Sequence, residues 1–500
     1  MKTPYLALGL AGGLLLAAAG CKNFLEQPVL GQYAAGQFFT SDTNAILAVN
    51  AAYVPLSFRD ASSNVLWVLG DLASDDALKG SNPGDQADFQ SVQDFNTTPI
   101  NAAVEAQWKR DYDGVFKCNV VLDGLPATNT SVSPVVLAQA VGQAQFLRAW
   151  YYFQLTTIYG DIPLHLTVET PEALQSPVVP QAQIFAQVEA DCQAAAAALP
   201  PTWTGTDVGR ATKGAALALL AKTYLYEKKW VMAAQTAQQV DGLGYKLLPV
   251  FADNFRAATK NNTEAVFAVQ HTSNLSPGQG NSLNQWFAPR VQNGYGFYYP
   301  TPSLAASFEQ SPAGVVDPRL DYTLGRKGQD FFGVPFDTTW TTTGYLSKKH
   351  LQPLTEVPAA TKGDGNLNFQ AIRYAEVLLI EAEALNEAGN GAAALAPLNQ
   401  VRKRARESYL YDATLPGAGT VPPGLLPDIT TTDQSQLRDL IRQERRVELA
   451  TEFQRFFDII RYGQAYATQA LRGKPNFNYT KNRFFPIPQS ERDTNKKLGI

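Results

Sequence analysis

Residues 370–388 read QAIRYAEVLLIEAEALNEA, and residues 211–227 read ATKGAALALLAKTYLYE. Each repeats apolar residues at three- and four-residue intervals, the spacing that places side chains on one stripe of an α-helix. In the first stretch the stripe is Ile372, Ala375, Leu379 and Ala382; in the second it is Ala218, Ala221 and Leu225. A short break follows each one, and then a partner pattern: 392–406 after Gly389-Asn390-Gly391, and 230–241 (WVMAAQTAQQVD) after the other. Laid over one another at a fixed offset, the pairs match Ala221 with Ala382, Tyr224 with Leu385, Ala233 with Ala394, Ala237 with Leu398 and Val240 with Val401. Small residues at matched points let antiparallel helices approach closely, while larger apolar residues fill between neighbouring pairs. Pro397 lies inside the last of these helices, where it must kink the chain or mark a later start.

Further helices are expected over 43–57, 102–123, 134–159 and 181–198. The longest is expected over 433–462, with Asp433 as its N-cap and Gln436 completing a capping-box-like start. Within it, Glu452–Arg455 and Asp458–Arg461 are spaced as i,i+3 ion pairs. Between about 245 and 368 the texture changes: glycine, proline, asparagine, threonine and aromatics replace helical period, apart from 302–309, and Ala265–Val269 reads as a strand. The fold class expected is mostly α. It is a tetratricopeptide-like helical-repeat scaffold over about 40–244 and 369–465, carrying a large irregular, loop-rich insertion with short strands over about 245–368. A structureless insertion of that length implies a function.

Composition narrows the function. Hydrophobic residues make up 45% of the 500, enough for a large core, and the formal net charge is −4, so there is no basic footprint for nucleic acid. The first twenty residues read as a targeting segment. Lys2 precedes an apolar run from Leu6 to Ala19, too short to span a bilayer comfortably, and Ala17-Ala18-Ala19-Gly20-Cys21 follows. This resembles a bacterial lipoprotein signal, in which cleavage leaves a lipidated Cys21 at the head of a single soluble domain over 21–500; the alternative is an ordinary secretory signal with a chance cysteine. Ala18 stands where such signals more often have leucine. Cys118 and Cys192 lie on different expected helices, and the reading favours two buried free thiols over a pair.

Catalytic signatures are mostly absent. His165, His271 and His350 are far apart in sequence and form no zinc motif, and no phosphate loop, dinucleotide fingerprint or nucleophile elbow occurs. Asp364, Asn366 and Asn368 start like a calcium loop, but Phe369 and Ala375 stand where glycine and the bidentate glutamate belong. No metal or cofactor is expected. Asp75-Asp76 is a candidate for glycoside hydrolysis only by residue type. The aromatics are more informative: 21 Tyr, 26 Phe and 7 Trp, many in segments without helical period. Trp286, Tyr295, Phe297, Tyr298 and Tyr299 lie among Asn281, Asn284, Gln285, Arg290, Gln292 and Asn293. A flat ring covers the C–H face of a sugar while amides and arginine hydrogen-bond its hydroxyl rim. The expected ligand contacts are therefore Trp286, Tyr295, Tyr298, Tyr299, Trp340, Trp67, Asn284 and Arg290; for any one ring the alternative is that it pins the loop to the scaffold.

Several segments in order carry a resemblance. These are Asn23-Phe24-Leu25-Glu26-Gln27-Pro28 after Cys21, AQFLRAWYYFQLTTIYGDIPL at 144–164, IRYAEVLLIEAEALNE at 372–387 and LNQVRKRA at 398–405. ERRVELATEFQRFFDIIR at 444–461 and FPIPQSERDTN at 485–495 complete the set. Together they resemble the SusD/RagB family of outer-membrane nutrient-binding lipoproteins. The resemblance implies a non-catalytic protein, lipid-anchored to the outer membrane and facing outward. Such a protein sits as a lid on a SusC-like TonB-dependent transporter and hands it glycans, or peptides in some relatives. It carries over no ligand residue, because these vary with substrate. The motifs themselves read as structural: Gly160 stops a helix, Ile162 is extended before Pro163, and Arg445, Arg446 and Arg455 with Glu448 and Glu452 look like interhelical ion pairs. Competing readings are a surface glycoside hydrolase, which needs two acids at the right separation in a cleft, and a scaffold that binds only protein.

Overall fold

The computed structural model describes residues 38–357 and 363–499; the expected signal and Cys21 lie outside them. The scaffold helices are α1 (Asp42–Tyr53), α2 (Ala102–Gly124), α3 (Pro134–Tyr159), α4 (Gln181–Ala198), α5 (Lys213–Tyr226) and α6 (Trp230–Asp241). After the insertion come α7 (Tyr374–Glu387), α8 (Gly391–Tyr411), α9 (Gln434–Glu448) and α10 (Arg455–Arg461). From α2 to α8 each helix packs on the next, and α6 packs on α7 although about 130 residues separate them. The array is thus one tetratricopeptide-like stack that the insertion interrupts in sequence and not in space. Its faces close on small residues: Ala218, Ala221, Ala233, Ala237, Ala382 and Ala394 are buried to at least 99%.

Local chemistry sets the helix ends. Asn101, Thr212 and Asp433 each accept a hydrogen bond from a first-turn backbone N–H, a cap that contributes about 1 kcal/mol. Gly160 ends α3 at φ +80°, a conformation that favours glycine, and Asp161 then accepts from the Gln181 N–H to start α4. Arg148, in the middle of α3, is buried and reaches Asp191 on α4 with two hydrogen bonds of 2.8 Å. These residues of the 144–164 motif therefore fix the α3–α4 pair. Cys118 and Cys192 are buried and unpaired.

The insertion has its own logic. Eight short strands are present among the described residues: β1 (Ala77–Lys79), β2 (Ala265–Val269), β3 (Tyr298–Pro300), β4 (Leu324–Arg326), β5 (Asp330–Phe331), β6 (Val334–Pro335), β7 (Tyr345–Ser347) and β8 (Phe369–Arg373). All pair antiparallel, as β1–β3, β2–β8, β4–β7 and β5–β6. The β2–β8 ribbon closes the base of the insertion and runs directly into α7. Residues 370–373, expected to be helical, are therefore strand: their N–H and C=O groups face β2, and helix begins only past Arg373. Pro397 lies inside a continuous α8.

The expected long helix over 433–462 is broken. α9 stops at Glu448, Thr451 and Phe453 take φ of +64° and +67°, and α10 starts at Arg455. The break lies in the core, where Phe453 stacks on Phe369 at 5.3 Å and its carbonyl lies against Gly70. Around it the arginines and acids form long-range pairs. Arg445 binds Glu376 and Asp458, Arg446 binds Asp75 and Asp76, and Arg455 binds Asp75. Glu448 and Glu452 are held by Arg319, Arg373, Arg404 and Lys349. Of the two expected i,i+3 pairs, Asp458–Arg461 forms at 2.8 Å, whereas Arg455 turns to Asp75 rather than to Glu452.

Candidate functional site

The β1–β3 ribbon decides which loops meet. It sets Leu78 opposite Tyr299 and brings the 79–85 loop beside the aromatic segment 290–300. Beneath the ribbon the rings form a cluster. Trp67 packs on Phe89 and Phe287 at 5.2 Å, Trp286 on Phe297 at 4.9 Å, and Phe287 on Tyr298 at 4.7 Å. Trp67 donates to the Ala61 carbonyl at 2.9 Å, and Tyr298 donates to Asp71 at 2.7 Å. Burial pushes the Asp71 carboxyl up to about 7.

The eight expected contacts therefore separate. Trp67 and Tyr298 are fully buried and have no face open to a ligand; they hold the loop on the scaffold. Both are core because their polar atoms find partners inside and their faces are covered by other rings. Trp286 and Tyr299 are also buried, and the Tyr299 hydroxyl donates to the Trp340 carbonyl at 3.3 Å. Trp340 is half-buried against Phe331 and Phe336. Tyr295 is 40% exposed, edge-on to Trp286, and Arg290 is exposed, donating to Ser81. Asn284 is buried yet lines a cleft.

That cleft, about 400 Å³, opens between the 284–294 segment, the β5–β6 hairpin, Leu351-Gln352 and Gly363. Five amide side chains line it, Asn284, Gln285, Gln292, Asn293 and Gln352, together with Phe331, Phe332 and Val291. Its described lining contains no carboxylate, histidine, cysteine or hydroxyl side chain. Such a lining hydrogen-bonds and stacks. Among the described residues, the buried Gln285 Nε2 has no hydrogen-bond partner there. An unmet buried donor costs about 1–3 kcal/mol, which a ligand acceptor would relieve.

Phe332 is the residue that the sequence did not flag. It sits with Gly333 at the tip of the β5–β6 hairpin, at φ +56° and +90°, the positive-φ pair of a type I′ turn. The Asp330 carboxylate accepts from the Gly333 N–H and pins the turn. Asn, Asp or Gly normally occupies the Phe332 position, and a bulky residue there costs about 1–2 kcal/mol. The ring packs on Phe331 at 5.1 Å, with the Lys348 ammonium 5.6 Å from its centroid. The DFFGV run at 330–334 was the available signal, a turn glycine directly after two aromatics.

The remaining candidates for chemistry are occupied by the fold. Asp75 and Asp76 are spent on Arg446 and Arg455. His271 accepts from the Phe58 N–H, His350 bonds the Thr451 carbonyl, and His165 faces Glu169. Among the described residues no group of acids, histidines or cysteines is arranged to hold a metal, and no helix is long and apolar enough to cross a membrane.

Comparison with known proteins agrees with this architecture. The SusD family model matches residues 263–499, and one described as starch-binding associating with outer membrane matches 40–225. SusD-like protein P2 of Formosa agariphila is 27% identical, with 97% of each chain covered. A SusD superfamily protein from Bacteroides vulgatus superposes with a TM-score of 0.78 at 25% identity, covering 92% of this chain and 98% of that one. A laminarin-binding SusD-like protein superposes with a TM-score of 0.75 at 28% identity, covering 91% and 98%. The two family matches meet the helical first half and the insertion with its closing helices in the order in which the motifs run, and the chain belongs to the SusD/RagB family.

Proposed function

We propose that this protein captures poly- or oligosaccharides at the cell surface in the cleft between the 284–294 segment and the β5–β6 hairpin. It is held at the outer membrane by lipid on Cys21 and delivers the glycan to a SusC-like TonB-dependent transporter. The observation that carries the binding site is Phe332, an aromatic ring kept at a strained turn tip over a cleft lined by amides. Strain of that kind persists where the residue serves something other than stability. Tyr295 and Arg290 extend the surface along the exposed rim. Support for glycan over peptide comes from the ring-and-amide lining and from the laminarin-binding relative. Support for the membrane setting comes from the family description and from the lipoprotein-like signal.

The test is a polysaccharide panel, including laminarin and starch, in affinity electrophoresis and calorimetry, with Phe332→Asn beside the native chain. Asn tolerates the left-handed turn, so the variant melts no lower than the parent, while affinity for the retained polymer falls about tenfold with the lost stacking face. Unchanged affinity removes the cleft from the proposal. Steady release of oligosaccharide replaces capture by hydrolysis.

A further inference from the structure

A larger cleft, about 520 Å³, lies at the other end of the β1–β3 ribbon, between Ser74-Asp75, Thr301–Ser303 and the 466–474 segment after α10. Its lining carries Arg446, Arg455, Arg472 and Lys474 against Asp75. With Asp76 buried behind Arg446 and Asp94 acting on Lys474 from outside the lining, four cations face three carboxylates, on a chain whose net charge is −4. Arg446 and Arg455 are neutralised by Asp75 and Asp76. Arg472 and Lys474 are not: among the described residues Arg472 has no hydrogen bond or ion pair, and the Lys474 ammonium touches only the Leu72 carbonyl, at 3.2 Å.

The geometry points to a second binding site in this cleft, for a sulfate or carboxylate group carried on a saccharide-sized molecule. Asp94 and Asp75 attract the Lys474 ammonium without reaching ion-pair distance, and a half-buried ammonium with no carboxylate in direct contact gains from an incoming anion. The hydroxyl of Tyr466 and the amide of Gln469 lie on the same wall and suit the uncharged part of such a ligand. The volume exceeds what a lone ion fills and falls within the range of small-molecule sites. Burial, opposed in part by Asp94 and Asp75, pulls the Lys474 ammonium down to about 8, so an anion that binds there holds the proton on, and binding weakens above that pH. This site shares no lining residue with the amide cleft, so the inference stands apart from the proposed function.

The experiment titrates the full chain with glucose 6-sulfate, glucuronate, inorganic sulfate and neutral glucose, by calorimetry. The expected result is binding of the anionic sugars but not of glucose, weakened by added salt and reduced about tenfold or more in Arg472→Met/Lys474→Met. Arg472 is exposed, so Arg472→Met alone reports the loss without any burden on folding. The double variant keeps whatever polysaccharide binding the amide cleft has, which separates failure here from failure there. Inorganic sulfate that matches glucose 6-sulfate assigns the site to the free anion and overturns its saccharide part. No binding of any anion, or binding indifferent to the double variant, overturns the site itself.

Discussion

Replacing Glu448 by alanine is expected to remove about 4 kcal/mol of stability, and the figure follows from what surrounds it. Glu448 is fully buried at the end of α9. One carboxylate oxygen accepts from Arg373 at 2.9 Å and from Arg404; the other accepts from Arg319 at 3.0 Å. Each arginine has a further partner: Arg373 holds Glu264 and Glu452, Arg404 holds Glu264, and Arg319 holds Asp317 and Glu444. Lys349 and Arg402 bring the cations to five, facing buried Asp317, Glu264, Glu444, Glu448 and Glu452, with the more exposed Glu309 pairing Arg402 at the edge, so deletion of Glu448 leaves Arg373, Arg404 and Arg319 each short of one buried carboxylate. Breaking a buried pair costs about 3–5 kcal/mol. The sharing of partners keeps the loss near the middle of that range rather than at three times a single charge-assisted bond. Burial raises the Glu448 pKa, but Arg404, Arg373 and Arg319 more than reverse this and hold the carboxyl well below the usual range. Its contribution is therefore present above the ordinary glutamate pKa and is lost as pH falls below it. Urea unfolding followed by near-ultraviolet circular dichroism and by fluorescence measures the change. Glu448→Gln keeps the shape and loses the charge, so it is expected to recover at most about 1–2 kcal/mol. A loss below about 1 kcal/mol for Glu448→Ala would refute the reasoning and show that water or a rearranged acid neutralises the site.

Three further outcomes are specific. Gly70→Ala would bring a Cβ within 2.0 Å of the Phe453 carbonyl oxygen, so the break between α9 and α10 has to move; a loss of about 3 kcal/mol or more in thermal unfolding is expected. Tyr298→Phe removes the shorter of two hydrogen bonds to the buried Asp71 carboxyl, leaving the Phe453 N–H at 3.2 Å, and costs about 1 kcal/mol, while polysaccharide affinity is unchanged because the ring has no exposed face. Burial lowers His271 and His350 to about 4, so between pH 6.5 and 4 the unfolded chain takes up protons that the folded chain refuses, and each contributes about 3 kcal/mol of lost stability as pH falls through that window. Asp71 and Asp111, raised by burial to about 7, act in the opposite sense over much of the same range. The diagnostic is therefore the difference in pH slope between His350→Gln, which retains a donor for the Thr451 carbonyl, and the parent.

What the sequence determined by itself is whatever local periodicity encodes. The four helices expected over 43–57, 102–123, 134–159 and 181–198 form within a few residues of those bounds, because their caps, breakers and apolar stripes lie inside the segments themselves. The strand at 265–269 was legible for the same reason. Tertiary structure decided what depends on partners distant in the chain. Residues 370–373 became strand because β2 lies beside them, and 449–454 left the helix because Phe453 fills the core against Gly70 and Phe369. The site shows the same division. Ring and amide content marked 284–299 as a place of interest, but composition does not say which side of a loop faces inward. Trp67 and Tyr298 went to the core, and the β5–β6 hairpin carried Phe332 to the cleft rim. A side chain's exposure is set by the surface packed against it, and for an irregular insertion that surface exists only once the helical stack has formed.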